Sequence, residues 1–451
     1  MAESKPEMKI KNTLVFVSVL LLLSPYHPAF SSTKNHKFSL EKAKYSQSNT
    51  NVIAGKVTNL QSSSERMISY RHQERMWLTE DGGMHLIINE GNNSTNSSLV
   101  LYSSFDYGAT WKAMSTISNT NEESTPDGFL SNSNLFITYT SSTGKIYFSI
   151  LHYNATNKTW QPIQTNVVYE DANYIASNAT IAVDNNNRFW IAFIRQNLTT
   201  NQFEIKTSYS TTNGASWQDT GLTLGTVNSS RAKSAKLVRL SDRMGVVYTN
   251  QDTINWAYRM NDWSLTTPWP EQLLFQHQPG SDKDPYASHF NVVVDQLENI
   301  HVPTRDQGQL LYLRFDRQNQ SWDTPRILTN DSSVAYVQAS VSGDNRLLIS
   351  YNQQSFVRVL QSSDYGKTFP TSTLLVHPKK ESLNTSAEFT RPRIEAPTRV
   401  GSWLPLLQQF VLDGKQRLLY YNLKLDTTSQ ALNHNIPTET LKLSREPVVP
   451  N

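Results

Sequence analysis

The 451-residue chain contains no cysteine. That absence excludes disulfide bonds, a thiolate nucleophile and any Cys-ligated metal site. Stability must come from a large apolar core, which a chain of this length can supply. An excess of one charge is lacking as well: 41 Lys and Arg against 38 Asp and Glu leave a net charge of +3. The basic residues are scattered, with no dense run, which argues against a nucleic-acid binder. There is no His-x-x-x-His pair, phosphate loop or Gly-x-Ser-x-Gly elbow, so neither a metal nor a cofactor is expected. Asp184-Asn185-Asn186-Asn187 resembles the start of a calcium loop but lacks the Gly and the distal Glu, and reads as a hairpin turn.

Long apolar stretches are missing except at the start. Lys5, Lys9 and Lys11 precede an apolar run from Thr13 to Ser24 that includes Leu20 to Leu23. Pro25, Pro28 and Ala29-Phe30-Ser31 follow. The run is about half of the roughly 20 residues a spanning helix needs. Residues 1–31 therefore read as an export signal cleaved near Ser31. The mature protein is expected to be secreted and monomeric, and attached to the outer face of a membrane only if the signal stays uncleaved. Residues 32–50 are polar and aperiodic, and form a linker. Residues 51–451 are expected to be one domain. Eleven Asn-x-Ser/Thr sequons, among them Asn154, Asn178, Asn197 and Asn384, would accept N-glycans in a suitable exporting cell.

What the chain does have is a repeat. Short apolar runs begin at Met84, Leu135, Phe189, Met244, Asn299, Arg346 and Trp403, at intervals of 51, 54, 55, 55, 47 and 57 residues. Most follow turn chemistry such as Asp81-Gly82-Gly83 or Gly343-Asp344-Asn345. A second series of aromatics keeps pace: Trp111, Trp160, Trp217, Trp263, Trp322 and Phe369, spaced by 49, 57, 46, 59 and 47. A period near fifty residues with four short strands per unit is the signature of a β-propeller. The fold expected is all-β, with seven blades of four antiparallel strands. Six blades is the alternative if the region after Arg391 is irregular. Asn51 to Val57, or Thr440 to Leu443, would complete the last blade.

The turn before Trp111 reads Ser104-Phe105-Asp106-Tyr107-Gly108-Ala109-Thr110-Trp111. It matches the Asp-box, Ser-x-Asp-x-Gly-x-Thr-Trp, at every defined position. A second copy spans Ser362 to Phe369, and a third, with Thr212 for Asp and Ser216 for Thr, spans Ser210 to Trp217. The chain resembles the sialidase-like (neuraminidase superfamily) Asp-box, or BNR-repeat, propellers over nearly all of its expected mature length. The motif's physics is structural. Gly permits a positive φ, the Ser, Asp and Thr oxygens satisfy backbone N–H groups, and the aromatic wedges between blades. Sialidases are similar in carrying an Arg-Ile-Pro motif near the propeller start. This chain has instead Arg391-Pro392-Arg393-Ile394-Glu395-Ala396-Pro397, in the last blade and in another order. The family's catalytic residues are therefore not carried over by position.

Strand direction locates a site. The Asp-box turns join strands 3 and 4, so the opposite end of the ring receives the ends of strand 2 and the beginnings of strand 1. Catalytic candidates there are Glu90, Asp252, Asp306, Tyr351 and His289. Candidates for gripping an anionic substrate are Arg71, Arg195, Arg305 and Arg391. Paired carboxylates, or His with Tyr, could do acid–base or nucleophilic work at a sugar. The expected partner is a carbohydrate or cell-surface glycan, which the propeller acts on or binds, glycoside hydrolysis of anionic sugars being one such activity. The alternatives are a polysaccharide lyase, or a non-catalytic extracellular propeller binding a protein or polysaccharide. For the last of these, Trp256, Trp263 and Trp269 are candidates for an exposed sugar platform.

Overall fold

The apolar runs fold as the second strands of seven sheets, five of four antiparallel strands and two enlarged to six by added strands. The computed structural model describes residues 41–42 and 51–425, except 71, 92–96, 118, 228–233, 278–289, 330–331, 379–386 and 390–392. The expected signal segment 1–31, most of the expected linker, Thr440–Leu443 and Asn384 lie outside the described residues. Every regular element described is a strand, and among the described residues no helix is long and apolar enough to cross a membrane.

Blade 1 is Met76–Leu78, Met84–Gly91, Ser97–Ser104 and Lys112–Ile117. Blade 2 runs from Pro126–Ser131 to Thr159–Tyr169, blade 3 from Tyr174–Val183 to Gln218–Val227, and blade 4 from Ala235–Arg239 to Glu271–Gln276. Blade 5 runs from Val293–Val294 to Arg326–Thr329, and blade 6 from Val337–Ser342 to Thr371–Val376. Blade 7 is composite. Its inner strand is only Ile394–Glu395, followed by Trp403–Leu412 and Lys415–Lys424, and its outer strand, Lys56–Ser62, comes from the start of the domain.

Each second strand is apolar at almost every position because it faces two neighbours. Leu86 and Ile88 join the core shared with blade 7, while Ile87 joins the core shared with blade 2. Phe189, Ile191 and Phe193 face blade 2, while Trp190, Ala192 and Ile194 face blade 4. Side chains of alternate parity leave opposite faces of a strand, so both parities must be apolar when both faces are covered. Seven such cores fill the seven interfaces, including the one between blades 7 and 1, so the ring is closed.

Closure differs in detail from expectation. Lys56 and Val57 do belong to the strand that completes blade 7, but Asn51–Ala54 pairs in parallel with the outer strand of blade 6. Glu41–Lys42 likewise caps the outer strand of blade 5. These additions cover edges that would otherwise stay unpaired.

The three repeated turns are built as their chemistry demands. Ser104 Oγ donates to Asp106 Oδ1 (2.8 Å) and accepts from Gly108 N–H (2.9 Å). Asp106 also accepts from the N–H and hydroxyl of Thr110. The turn at Ser362 repeats these bonds, and the eroded turn keeps the Ser210–Gly214 and Thr212–Ser216 bonds. Gly214 has φ 80°, and a Cβ there would fall 2.1 Å from the Phe148 ring, so only Gly fits. Trp111 and Trp217 donate to Gly108 O and Gly214 O and pack between blades.

Trp256 and Trp269 are not a sugar platform. Both are buried in interblade cores, Trp269 against Trp190 and Trp256 against Trp322, and Trp263 lies half-buried beside Tyr258. Their apolar area gains more from core packing than from exposure. The Asp184 turn is a hairpin: its carboxylate takes the N–H groups of Asn186 and Arg188 and the Trp190 indole N–H.

Candidate functional site

The inner strands surround the axis and present a polar collar to it. Asp127 of blade 2 is fully buried. It accepts Lys236 Nζ from blade 4 (2.6 Å), Glu74 N–H (2.6 Å) and Ile181 N–H from blade 3 (2.9 Å). Thr398 of blade 7 donates its hydroxyl (2.7 Å) and N–H (3.2 Å) to Glu74 Oε1. Arg75 N–H reaches Glu395 Oε1 (3.5 Å), and Arg75 Nε lies 3.6 Å from Glu395 Oε2. The collar continues through Gln73 to Ala179 O, Asn291 to Gln338, and Gln338 to Ile394 O. Many buried polar groups on or just before the inner strands are thus bound to another blade, as burial requires.

Three carboxyl groups, Glu74, Asp127 and Glu395, share this collar with Lys236 and Arg75. Burial pushes Glu395 up to about 8 against the pull of Arg75, and Glu74 up to about 7 against the pull of Lys236. Burial also lowers Arg75 to about 10. Desolvation penalises every charged form, and it outweighs the ion pairs here. The stability consequence has a definite sign. A folded carboxyl above its unfolded value of 4.5 contributes stability that is complete below that value and is lost as pH rises through 7 and 8. The melting temperature is expected to fall by several degrees between about pH 5 and about pH 9, and Glu395→Gln should flatten that fall. Calorimetric scans across this range check it. A flat or rising profile would refute the assignment.

At the end of the axis where the inner strands begin there is a small, partly open depression. It is lined by Ile68, Ser69 and Tyr70 from the segment before blade 1, Tyr336 and Gln338 from blade 6, and Arg393, Ile394 and Glu395 from blade 7. This is the mouth opposite the repeated turns. Tyr70 OH accepts from Arg66 Nη1 and donates to Glu123 Oε2 (3.4 Å), and Arg66 pairs with Glu123 at 3.2 Å. Burial raises the Tyr70 phenol above its usual range, so it stays protonated at neutral pH despite the Arg66 cation. Among the described residues no cluster of three or more His, Asp or Glu is arranged to hold a metal ion.

Arg71, His289 and Arg391 lie outside the described residues. Of the other six sequence candidates, none lines this depression. Glu90 accepts the Tyr102 hydroxyl (2.7 Å) at the end of blade 1. Arg195 pairs with Glu204 on its own blade and lies 4.2 Å from the centre of the Tyr174 ring, on the flank between blades 2 and 3. Tyr351 is buried in the core between blades 5 and 6, and Arg305 is buried at the end of the second strand of blade 5. Asp252 and Asp306 are brought together by His277: Asp252 O accepts His277 N–H (2.7 Å), and His277 Nδ1 lies 3.1 Å from Asp306 Oδ1. The ends of second strands stand one layer back from the axis, so their side chains meet neighbouring blades. The groups facing the axis come from the first strands and the segments before them.

Sequence reasoning missed Tyr70, Glu74, Arg75, Asp127, Lys236 and Gln338, and quoted Glu395 only as part of a string, whereas Arg393 stands with Arg391 among the residues it expects at the beginnings of first strands. A signal was present. Glu74, Asp127, Lys236, Asn291, Gln338 and Glu395 follow one another at 53, 109, 55, 47 and 57 residues, which is the repeat itself with one double step.

No family model matches this chain, and no curated protein matches it. Solved structures do resemble it in fold. The fucose-binding lectin of Aleuria aurantia, described as a six-bladed propeller, is 13% identical over 66% of this chain and 93% of its own, with a TM-score of 0.43. An α-L-arabinofuranosidase from Fusarium graminearum is 11% identical over 84% and 98%, with a TM-score of 0.43. The polysaccharide lyase Uly1 is 10% identical over 79% and 90%, with a TM-score of 0.45. At overlaps this low the likeness concerns the propeller fold alone.

Proposed function

We propose that this protein is an exported propeller that binds an acidic glycan at the mouth of its axis. The observation that carries the reading is the depression itself. It sets two tyrosines, an amide, a guanidinium and a carboxyl around one shallow opening. Tyrosine rings offer an apolar face with a polar rim, which suits a sugar ring. Gln338 offers both a donor and an acceptor for hydroxyls. Arg393 offers a planar fork for a carboxylate.

Titration calorimetry with a trigalacturonate, against a neutral cello-oligosaccharide, tests this. Arg393→Ala is expected to weaken acidic-sugar binding at least tenfold, about 1.4 kcal/mol. Undiminished binding by the variant, or no binding of any acidic sugar, would remove the proposal.

A second reading, as a lyase or hydrolase, is favoured by one observation. Tyr70 and Glu395 both line the mouth and both hold their protons near neutral pH, as a general acid must. Incubation of the same sugars, followed for unsaturated uronate or for new reducing ends, separates lyase, hydrolase and binder. Loss of turnover in Tyr70→Phe with binding retained would assign the chemistry to this pair.

A further inference from the structure

Two hairpins at the repeated-turn end of the ring share one build without being Asp-boxes. In blade 2 the turn runs Asn154-Ala155-Thr156-Asn157-Lys158-Thr159-Trp160, and in blade 5 it runs Asp316-Arg317-Gln318-Asn319-Gln320-Ser321-Trp322. Asn154 pairs with Thr159, and Asp316 with Ser321, so the two turns have equal length. The first residue of each caps the turn. Asn154 Oδ1 accepts the Asn157 N–H (3.0 Å), and Asp316 Oδ1 accepts the Asn319 N–H (3.2 Å). The next residue is left-handed in both, Lys158 at φ 54° and Gln320 at φ 53°. The closing aromatics are anchored, Trp160 in the core between blades 1 and 2 and Trp322 against the core between blades 4 and 5. A flanking cation fastens each turn to the preceding blade: Lys158 Nζ lies 4.5 Å from the centre of the Phe105 ring, and Arg317 Nη1 lies 3.0 Å from Asp242 Oδ2. Each turn also carries a sequon, Asn157-Lys158-Thr159 or Asn319-Gln320-Ser321, and all six of these residues are exposed. The side chains of Asn157 and Asn319 make no hydrogen bond among the described residues.

We propose that Asn157 and Asn319 are N-glycosylation sites of the chain exported through a glycosylating pathway, and that Asn178 is not one. The Nδ2 amide forms a bond to the anomeric carbon of a lipid-diphosphate-linked oligosaccharide. The bond from that carbon to the phosphate oxygen breaks, the lipid diphosphate leaves, and the amide gives up one proton. Whenever the transfer takes place, the folded protein must hold the bulky glycan in water. Asn157 and Asn319 do so without displacing a strand, a core side chain or a hydrogen bond. Asn178 stands in the inner strand of blade 3 and is half-buried, with Ala176 and Ala179 fully buried on either side. The hydroxyl of its sequon, on Thr180, is also buried: it donates to Ala235 O (3.0 Å) and accepts the Leu237 N–H (3.3 Å). The carbonyl between them, Ala179 O, accepts Gln73 Nε2 (2.9 Å) from the segment before blade 1. A glycan on Asn178 would have to share the axis with these bonds. Export by the expected signal of residues 1–31 is required for the modification; a ligand at the mouth is not.

The full chain, secreted from a eukaryotic cell line, treated with an N-glycanase in heavy-oxygen water and mapped by peptide mass spectrometry, tests this. Enzymatic release converts a glycosylated Asn to an Asp that carries the heavy oxygen. Label is expected at Asn157 and Asn319 in most molecules and at Asn178 in none. Thr159→Ala and Ser321→Ala keep each Asn but destroy its sequon. Each should abolish label at its own site alone and speed the secreted protein by one step in gel electrophoresis. The melting temperature of the deglycosylated variants should match that of the deglycosylated parent, because neither hydroxyl is buried. Secreted protein without label at Asn157 or at Asn319 overturns the proposal. Label at Asn178 in folded protein overturns it too, since the glycan would then occupy the axis. Retention of the chain in the cytosol overturns it at the level of export, and leaves the reading of the mouth to its own titration.

Discussion

A chain beginning at Ser64 is expected to lose cooperative folding, whereas a chain beginning at Gly55 is expected to keep the ring. The difference lies in the strand Lys56–Ser62. It pairs with Lys415–Lys424 as the outer strand of blade 7, with Lys56 opposite Tyr420 and Ser62 opposite Gln416. It also reaches blade 1. Ser62 Oγ donates to Asn89 O (2.8 Å) and accepts Gly91 N–H (2.9 Å), and Asn59 exchanges two hydrogen bonds with the Trp111 backbone. Leu60 is buried in the core that joins blades 7 and 1. Removing the strand exposes Leu418 and Tyr420, opens a ladder and separates the two ends of the ring. Burial of Leu60 alone is worth about 2 kcal/mol, and its loss comes with the loss of closure, which is the fold's remedy for open edges. The strand Asn51–Ala54 only adds to the edge of blade 6, so its removal should cost little. Circular dichroism melts of the two truncated chains decide the matter. A sharp transition for the shorter chain within a few degrees of the full one would refute the assignment.

Lys236→Met should cost about 3–5 kcal/mol at pH 8, among the largest losses open to a single substitution. Lys236 Nζ is the cation opposite the fully buried Asp127. Asp127 would keep the N–H groups of Glu74 and Ile181, but its charge would be left without a counterion in the axis. Glu74 would lose the same cation, which now opposes its upward shift. The loss should shrink near pH 5, where Glu74 and Glu395 already hold their protons. Asp127→Asn combined with Lys236→Met should be less damaging than Lys236→Met alone, since removing both members of a buried pair leaves no orphan charge. Urea denaturation at the two pH values measures this. A loss under about 1 kcal/mol at pH 8 would mean that the pair does not hold the collar together.

The ring was readable because its signal is redundant. Seven apolar runs and six aromatics march at one period, and a two-sided strand needs apolar residues of both parities. The turn chemistry was readable for the same reason: Ser104, Asp106, Gly108 and Thr110 satisfy one another within seven residues. The fate of the tryptophans was not. Trp256 and Trp269 stand in strings no different from those of exposed aromatics, and only the neighbouring blade covers them. The residues of the candidate site were not legible. Strand direction singled out the mouth opposite the turns, and the depression is there. The choice of second-strand ends led to Arg195 and Tyr351, which are occupied between blades, and passed over the polar residues repeating on the first strands.

Local order along the chain was therefore decided by residue pattern alone: where strands run, where they turn, and that the unit recurs. Those properties depend on neighbours within about ten residues, and the sequence lists those neighbours directly. The collar and the mouth depend on residues from all seven blades meeting on one axis, such as Glu74 with Thr398 and Asp127 with Lys236. Which side chains meet there, and how far their shared burial moves Glu74 and Glu395 from the behaviour of free carboxylates, follows from the closed ring. Desolvation belongs to the assembled environment and to no single residue.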